Sequence, residues 1–178
     1  MTAHSSATVE DGATIGERTN VWHQAHIRSG AVVGSDCNLG KNVFVDGGAV
    51  IGDRCKIQNN VSVYSGVTLG DEVFVGPSAV FTNDMWPRAA STEWEITPTV
   101  VLDGASIGAN ATIVCGVTIG RFATVGAGST VTHDVADHQL VVGNPARHHG
   151  WVCACGRLAS RSDQRPDPIE CDRCQEDQ

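Results

Sequence analysis

Val9, Ile15, Val21, Ile27, Val33, Leu39, Val45, Ile51, Ile57, Val63, Leu69, Val75 and Phe81 stand six apart without a miss. After a gap the spacing resumes at Val101, Ile107, Ile113, Ile119, Val125 and Val131. Two positions before most of these sits a small or β-branched residue: Ala7, Ala13, Ala25, Ala31, Cys37, Val43, Ala49, Cys55, Val61. A period of six is neither the helical repeat nor the plain alternation of a strand. It is the repeat of a β-solenoid, in which three short strands close one triangular coil. The pattern therefore predicts an all-β prism whose corners recur every 18 residues, three hexads of the sequence. Gly16, Gly34, Gly52 and Gly70 share one corner, where a tight turn favours a residue without Cβ. Stacked about 4.8 Å apart, roughly six coils would make a prism about 30 Å long.

The repeat covers residues 5–81 and 101–132. Between them residues 82–100, TNDMWPRAASTEWEITPTV, hold two Trp and two Pro and break the period. An insertion of that length is more often functional than decorative, the alternative being a loop that only covers an edge. Past Thr132 the pattern decays into an exit segment. The expected organisation is a solenoid domain over 1–150 and a separate tail over 151–178.

The tail carries Cys153, Cys155, Cys171 and Cys174, with fifteen residues between the inner two. That spacing resembles a zinc ribbon, although the first pair is C-x-C rather than C-x-x-C. Four thiolates in a polar segment without an apolar core need a reason to be ordered, and structural Zn²⁺ would supply the folding energy. The alternative is a disordered tail with free thiols. Cys37 and Cys55 fall at inward hexad positions and Cys115 at a corner, where inert packing is the expected role.

The formal net charge of −8 argues against nucleic acid as a partner. No apolar stretch approaches the roughly 18 residues of a membrane span, and the N-terminus lacks the basic and apolar regions of a signal peptide. These features predict a cytoplasmic protein with no membrane partner.

Inward positions are apolar, so chemistry belongs to corners and outer faces. Stacking by eighteen gives the column Arg28, Asp46, Tyr64, Thr82, with Ser29, Gly47, Ser65, Asn83 beside it. A second corner stacks Trp22, Gly40, Gln58, Gly76 next to His23, Lys41, Asn59, Pro77. Bulky polar groups on two corners and glycine on the third suggest a ligand edge. Phe44 and Phe74 point outward and predict association of prism sides. His133, His138, His148 and His149 are expected in solvent or packing roles.

The period, the insertion and the string QNNVSVYSGVTLGDEVFVGPSAVFTNDMWPRA (58–89) resemble the left-handed β-helix acyltransferases with hexapeptide repeats. Within them the chain is most similar to N-acetyltransferases of nucleotide-linked 3-amino sugars, of the UDP-2-acetamido-3-amino-2,3-dideoxy-glucuronate type. The exit VVGNPARHHGWVC (141–153) matches that group too, and the resemblance covers roughly residues 9–155. It implies a left-handed helix, a homotrimer with sites between subunits, acetyl-CoA as cosubstrate and a role in polysaccharide biosynthesis. Carried over by motif, Asn83 would hold the sugar amine. His23, Gln58, Asn59, Tyr64 and Arg88 are candidates for sugar and nucleotide contacts, and Gly108, Gly126 and Arg147 for CoA.

From Arg28 to Val131 there is no histidine. A hydroxyl acceptor must lose its proton during attack and needs a base, whereas a neutral amine already presents a lone pair. The sequence thus favours N-acetylation by orientation, with the departing thiolate or water taking the proton. The runner-up is O-acetylation of a sugar or small molecule. A γ-class carbonic anhydrase would need three imidazoles around zinc, and only His23 and His26 lie on an early coil. A non-enzymatic trimeric scaffold is the remaining rival.

Overall fold

The computed structural model describes residues 1–176. Its body is a triangular parallel β-solenoid whose strands are mostly two residues long. One face, from Thr2–Ala3 to Gln139–Val142, has eight parallel strands; the second, from Thr8–Val9 to Thr130–Val131, has seven. The third, from Thr14–Ile15 to Thr118–Ile119, has six and ends in a bridge from Ile119 to Val135. The stack is therefore about eight coils, not the six expected from the repeat. Thr2–Ala3 pairs with Asn20–Val21 before the hexads begin, and the exit strand Gln139–Val142 still pairs parallel with Thr124–Val125.

Successive coils pair at an offset of 18, as in Asn20 with Asn38. Across the insertion Phe74 pairs with Ser106, an offset of 32, so the loop adds fourteen residues and the register resumes unchanged. The irregular stretch is shorter than 82–100, because Thr99–Val101 is already a third-face strand.

Every hexad sends one large aliphatic and one small residue inward, and from Val21 onward these are essentially all buried. Each fully buried Val, Ile or Leu contributes roughly 1.5–3 kcal/mol, so every added coil stabilises its neighbours. Cys37 and Cys55 fill small inward positions, their thiols donating to the carbonyls of Gly52 at 3.1 Å and Gly70 at 3.0 Å. The neighbouring Cys37 sulfur and burial push the Cys55 thiol up, which keeps it protonated and inert. Cys115 lies at a corner as expected and is buried.

The third edge, after each third-face strand, corrects the account of its glycines. Gly16, Gly34, Gly52 and Gly70 are not the residues with positive φ; that conformation falls two positions later, on Arg18, Asp36, Arg54 and Glu72. Glycine is required because a Cβ at Gly34, Gly52 or Gly70 would strike Asp53, Asp71 or Asp103 of the next coil. Those carboxylates reach back to accept backbone N–H bonds from Ser35 (2.7 Å), Asp53 (2.9 Å) and Asp71 (3.0 Å). Arg18–Asp36, Arg54–Glu72 and Arg121–Asp103 pairs lie along the same edge.

Beyond the solenoid the chain turns back. The return strand Arg147–Val152 pairs antiparallel with the exit strand and with Leu158–Ser160, and a short helix, Asp172–Glu176, follows. The return strand runs through the 150/151 junction. Trp151, Val152, Cys153 and Cys171 are buried but stand outside the solenoid core cluster. No helix among the described residues is long and apolar enough to cross a membrane.

Candidate active site

The insertion leaves the second edge, after the second-face strands, and Asn83 stands at its root. The Thr97 N–H donates to the Asn83 carbonyl at 3.0 Å, closing the neck of the loop. The Asn83 side chain donates through Nδ2 to the Ser65 carbonyl at 3.3 Å, and among the described residues its Oδ1 accepts no bond. Asn83 is thus fixed at one end and open at the other. Tyr64, next to Ser65, is 37% exposed and packs edge-on against Phe44 with ring centroids 6.0 Å apart. His26 contacts the other side of Phe44 at 5.6 Å, so this ring is covered within the chain. Of the two phenylalanines expected outside, only Phe74, 37% exposed, stays largely bare.

The loop folds around its own polar groups: Asp84 Oδ1 accepts from the Trp86 N–H and Ser91 Oγ donates to the Glu93 carbonyl. It leaves a groove of about 730 Å³ lined by Asp84, Trp86, Glu93 and Trp94. Trp86 is 80% exposed, and Arg88 is exposed, its guanidinium bonded among the described residues to the Pro87 carbonyl alone. The structure brings Tyr64 and Asn83 to one edge, and Arg88 lies in the loop that leaves it.

His23, Gln58 and Asn59 lie on the first edge, across the second face, so one chain does not bring them to Asn83. His23 stacks on His4 at 3.6 Å, and Trp22 Nε1 donates to Asn38 Oδ1 at 2.7 Å. Asn59 Oδ1 accepts from the Lys41 N–H at 2.9 Å. Gly108 continues the same edge from Gly76, and Gly126 follows it. A Cβ at Gly108 would lie 2.5 Å from the Ala127 nitrogen and one at Gly126 2.8 Å from Val142, so coil packing alone requires both glycines. His26, which the carbonic anhydrase alternative would need as a ligand, is engaged by Glu10 at 2.7 Å.

Arg147 begins the return strand and borders a cavity of about 370 Å³ at the C-terminal end, with His133, Asp134, Gln139 and His148. Arg147 donates to the Ala146 carbonyl at 2.9 Å. Among the described residues it pairs with no carboxylate. The sequence gives His133 a solvent or packing role and does not point to this cavity. The signal existed: the offset of 32 carries Asn83 to Cys115, and 18 more reaches His133. Two coils, about 10 Å of stacking, separate Asn83 from His133. His138 packs on Phe122 at 5.1 Å, and His149 Nε2 accepts from Arg161.

Cys153, Cys155, Cys171 and Cys174 place their sulfurs within 4.8 Å of one another, the only such metal-competent group among the described residues. Sulfur separations are 3.8 Å for Cys153–Cys174 and 3.4 Å for Cys155–Cys171. A tetrahedral ZnS₄ centre with Zn–S near 2.3 Å needs about 3.8 Å between sulfurs, so the residues fit. The Gly156 N–H donates to the Cys153 carbonyl, folding the C-x-C turn. Backbone N–H groups, that of Cys155 first, draw the Cys153 thiol down to about 7. The three neighbouring sulfurs push Cys174 up to about 12. Four sulfurs converging at this spacing suit a cation.

Comparison with known proteins agrees with the geometry. The family described as bacterial transferase hexapeptide (six repeats) matches residues 48–83 and 98–133. The hexapeptide repeat of succinyl-transferase matches residues 30–65. A hexapeptide-repeat-containing acetyltransferase from Vibrio cholerae, solved with acetyl coenzyme A, is 30% identical with a TM-score of 0.56, over 85% of this chain and 72% of that one. PerB from Caulobacter crescentus, solved with CoA and GDP-perosamine, is 24% identical with a TM-score of 0.57, over 84% of this chain and 58% of that one. It shares the fold. A dTDP-3-amino-3,6-dideoxy-alpha-D-galactopyranose 3-N-acetyltransferase from Aneurinibacillus thermoaerophilus is 46% identical over 57 residues. That match spans 32% of this chain and 30% of the relative.

Proposed function

The chain belongs to the hexapeptide-repeat acetyltransferases, and on that premise we propose that it transfers the acetyl group of acetyl-CoA to the amine of a nucleotide-linked 3-amino sugar. The observation that carries this reading is Asn83: anchored through Nδ2 on the Ser65 carbonyl, with Oδ1 open at the root of the loop. An amide oxygen there accepts a hydrogen bond from the sugar amine and aims its lone pair at the thioester carbon. Attack forms the C–N bond, the C–S bond breaks, and the CoA thiolate or water takes the ammonium proton. Orientation of this kind supplies several kcal/mol without a base.

Tyr64, next to the Ser65 that anchors Asn83, and Arg88 in the loop are the contacts proposed for the sugar and nucleotide. His23, Gln58 and Asn59 would complete a site from the first edge of a second subunit, which makes a homotrimer the working unit. The third face supports such packing, since Thr14, Val32, Val50, Thr68, Val100 and Thr118 face outward without a charge. Arg147, a cation without a carboxylate partner on a chain of net charge −8, is proposed to meet CoA phosphate. The glycine stripe at Gly108 and Gly126 offers backbone to pantetheine.

The four tail cysteines would hold structural Zn²⁺, which cross-links the tail; four thiolates leave no open position for catalysis. Free thiols throughout suit a cytoplasmic enzyme, and the implied setting is polysaccharide biosynthesis.

The test is release of CoA thiol from acetyl-CoA in the presence of UDP- and dTDP-linked 3-amino sugars. Release with one of these and not with its 3-hydroxy counterpart is expected. Release with hydroxy sugars alone would replace this reading with O-acetylation; CoA binding without release on either class would remove it.

A further inference from the structure

Resting on the reading that zinc fills the cysteine site and CoA phosphate enters the end cavity, we propose that the metal conditions that cavity. It fixes the return strand, and the return strand is one wall of the donor site.

The connection runs through named contacts. Cys153 directly follows the return strand, and its N–H donates to the Arg157 carbonyl at 2.8 Å. Val152, one residue earlier, is tied to the last solenoid corner: its N–H donates to the His138 carbonyl at 2.8 Å, and His138 Nδ1 donates to its carbonyl at 3.0 Å. Trp151 Nε1 and His148 Nε2 both donate to the Ser162 carbonyl, at 2.9 and 3.1 Å. His148 Nδ1 then accepts from Gln139 Nε2 at 3.1 Å. Both ring nitrogens of a cavity residue are thus held, one of them by the tail. The His148 and Trp151 rings lie 5.1 Å apart.

The strength of this wall depends on the ion. The buried residues behind it are Trp151, Val152, Cys153 and Cys171, and two of the four are metal ligands. A cluster that small does not order a segment by apolar burial alone, so the cross-link supplies the folding energy. Without metal the Ser162 carbonyl leaves, His148 loses a partner and Arg147 loses its rigid mount. The solenoid core, which shares none of these residues, stays folded.

The experiment compares full-length zinc-loaded protein, the same protein stripped by a thiol-competing chelator, and Cys171→Ser. Zinc content, amide hydrogen exchange and CoA affinity by calorimetry are measured on each. Retained zinc is expected in the first alone. Stripping should raise exchange in residues 147–152 and 157–162, leave residues 20–131 unchanged, and weaken CoA about tenfold, with recovery when zinc is restored. Absence of zinc in the full-length protein would overturn the metal reading and this proposal with it. Zinc present, with exchange and CoA affinity unmoved by stripping, would overturn the coupling alone. A return strand that opens while CoA affinity holds would show that the donor does not use this cavity.

Discussion

The second and third edges of the prism both carry polar side chains and use them differently. On the third edge Asp53, Asp71 and Asp103 each accept a backbone N–H from the preceding coil, and the glycines beside them leave the room to do so. One oxygen of each carboxylate is committed to holding the coils together. On the second edge Asp46 accepts from the Arg28 guanidinium and the Gly47 N–H, but among the described residues Tyr64, the Oδ1 end of Asn83 and the loop groove are left open. Polarity alone does not mark a functional edge in a solenoid. What marks it is polar capacity that the stacking does not use, and the loop emerges where that capacity is concentrated.

The comparison makes a double dissociation, and Asn83→Ala should show the largest effect. Turnover is expected to fall about 100-fold with little change in melting temperature; turnover within twofold of the parent would return Asn83 to a loop-anchoring role. The converse variant, Asp71→Ala, strips a carboxylate that holds the Asp53 N–H and Arg54. It should cost about 1–2 kcal/mol in denaturant unfolding and leave kcat for acetyl transfer unchanged. A matching loss of kcat would erase the distinction between the edges.

Arg147→Gln sharpens the account at the end of the prism. It should raise KM for acetyl-CoA about tenfold while kcat holds, and an unchanged KM would remove Arg147 from the donor site. The smallest expected effect is on acid stability. Arg18 holds the Asp36 carboxyl below its usual 3.8, and the Ser29 N–H, with His26 beside it, holds Glu10 below 4.5. A depressed folded-state value stabilises above the unfolded value and is lost as pH falls through the folded one. Melting temperature should therefore decline below about pH 4.5 by a modest margin, since these groups are exposed and screened. Asp36→Asn should flatten part of that decline.

Much of this was legible in the residues. Six-residue spacing carries the triangular section, the inward Cys37 and Cys55 and the column that ends at Asn83, because each coil repeats one geometry. The first coil escaped notice because Thr2–Ala3 lacks the aliphatic marker, and the exit strand because its alternation is that of an ordinary strand. The glycines of the third edge were visible, but their reason was not: Gly34 answers to Asp53 nineteen residues on, a contact only the stacked register reveals. Spacing identified the four tail cysteines as a set. Their attachment to His138 and Trp151 depends on an antiparallel return that no repeat encodes. The place of His133 in the column of Asn83 could not be counted before the length of the loop was known.

The central claim is that this edge makes an amide. Mass spectrometry of the product formed from acetyl-CoA and a nucleotide-linked 3-amino sugar, before and after mild base, tests it most directly. The account predicts a gain of one acetyl group on the sugar that survives the base. An acetyl group lost in base would identify an ester and contradict it.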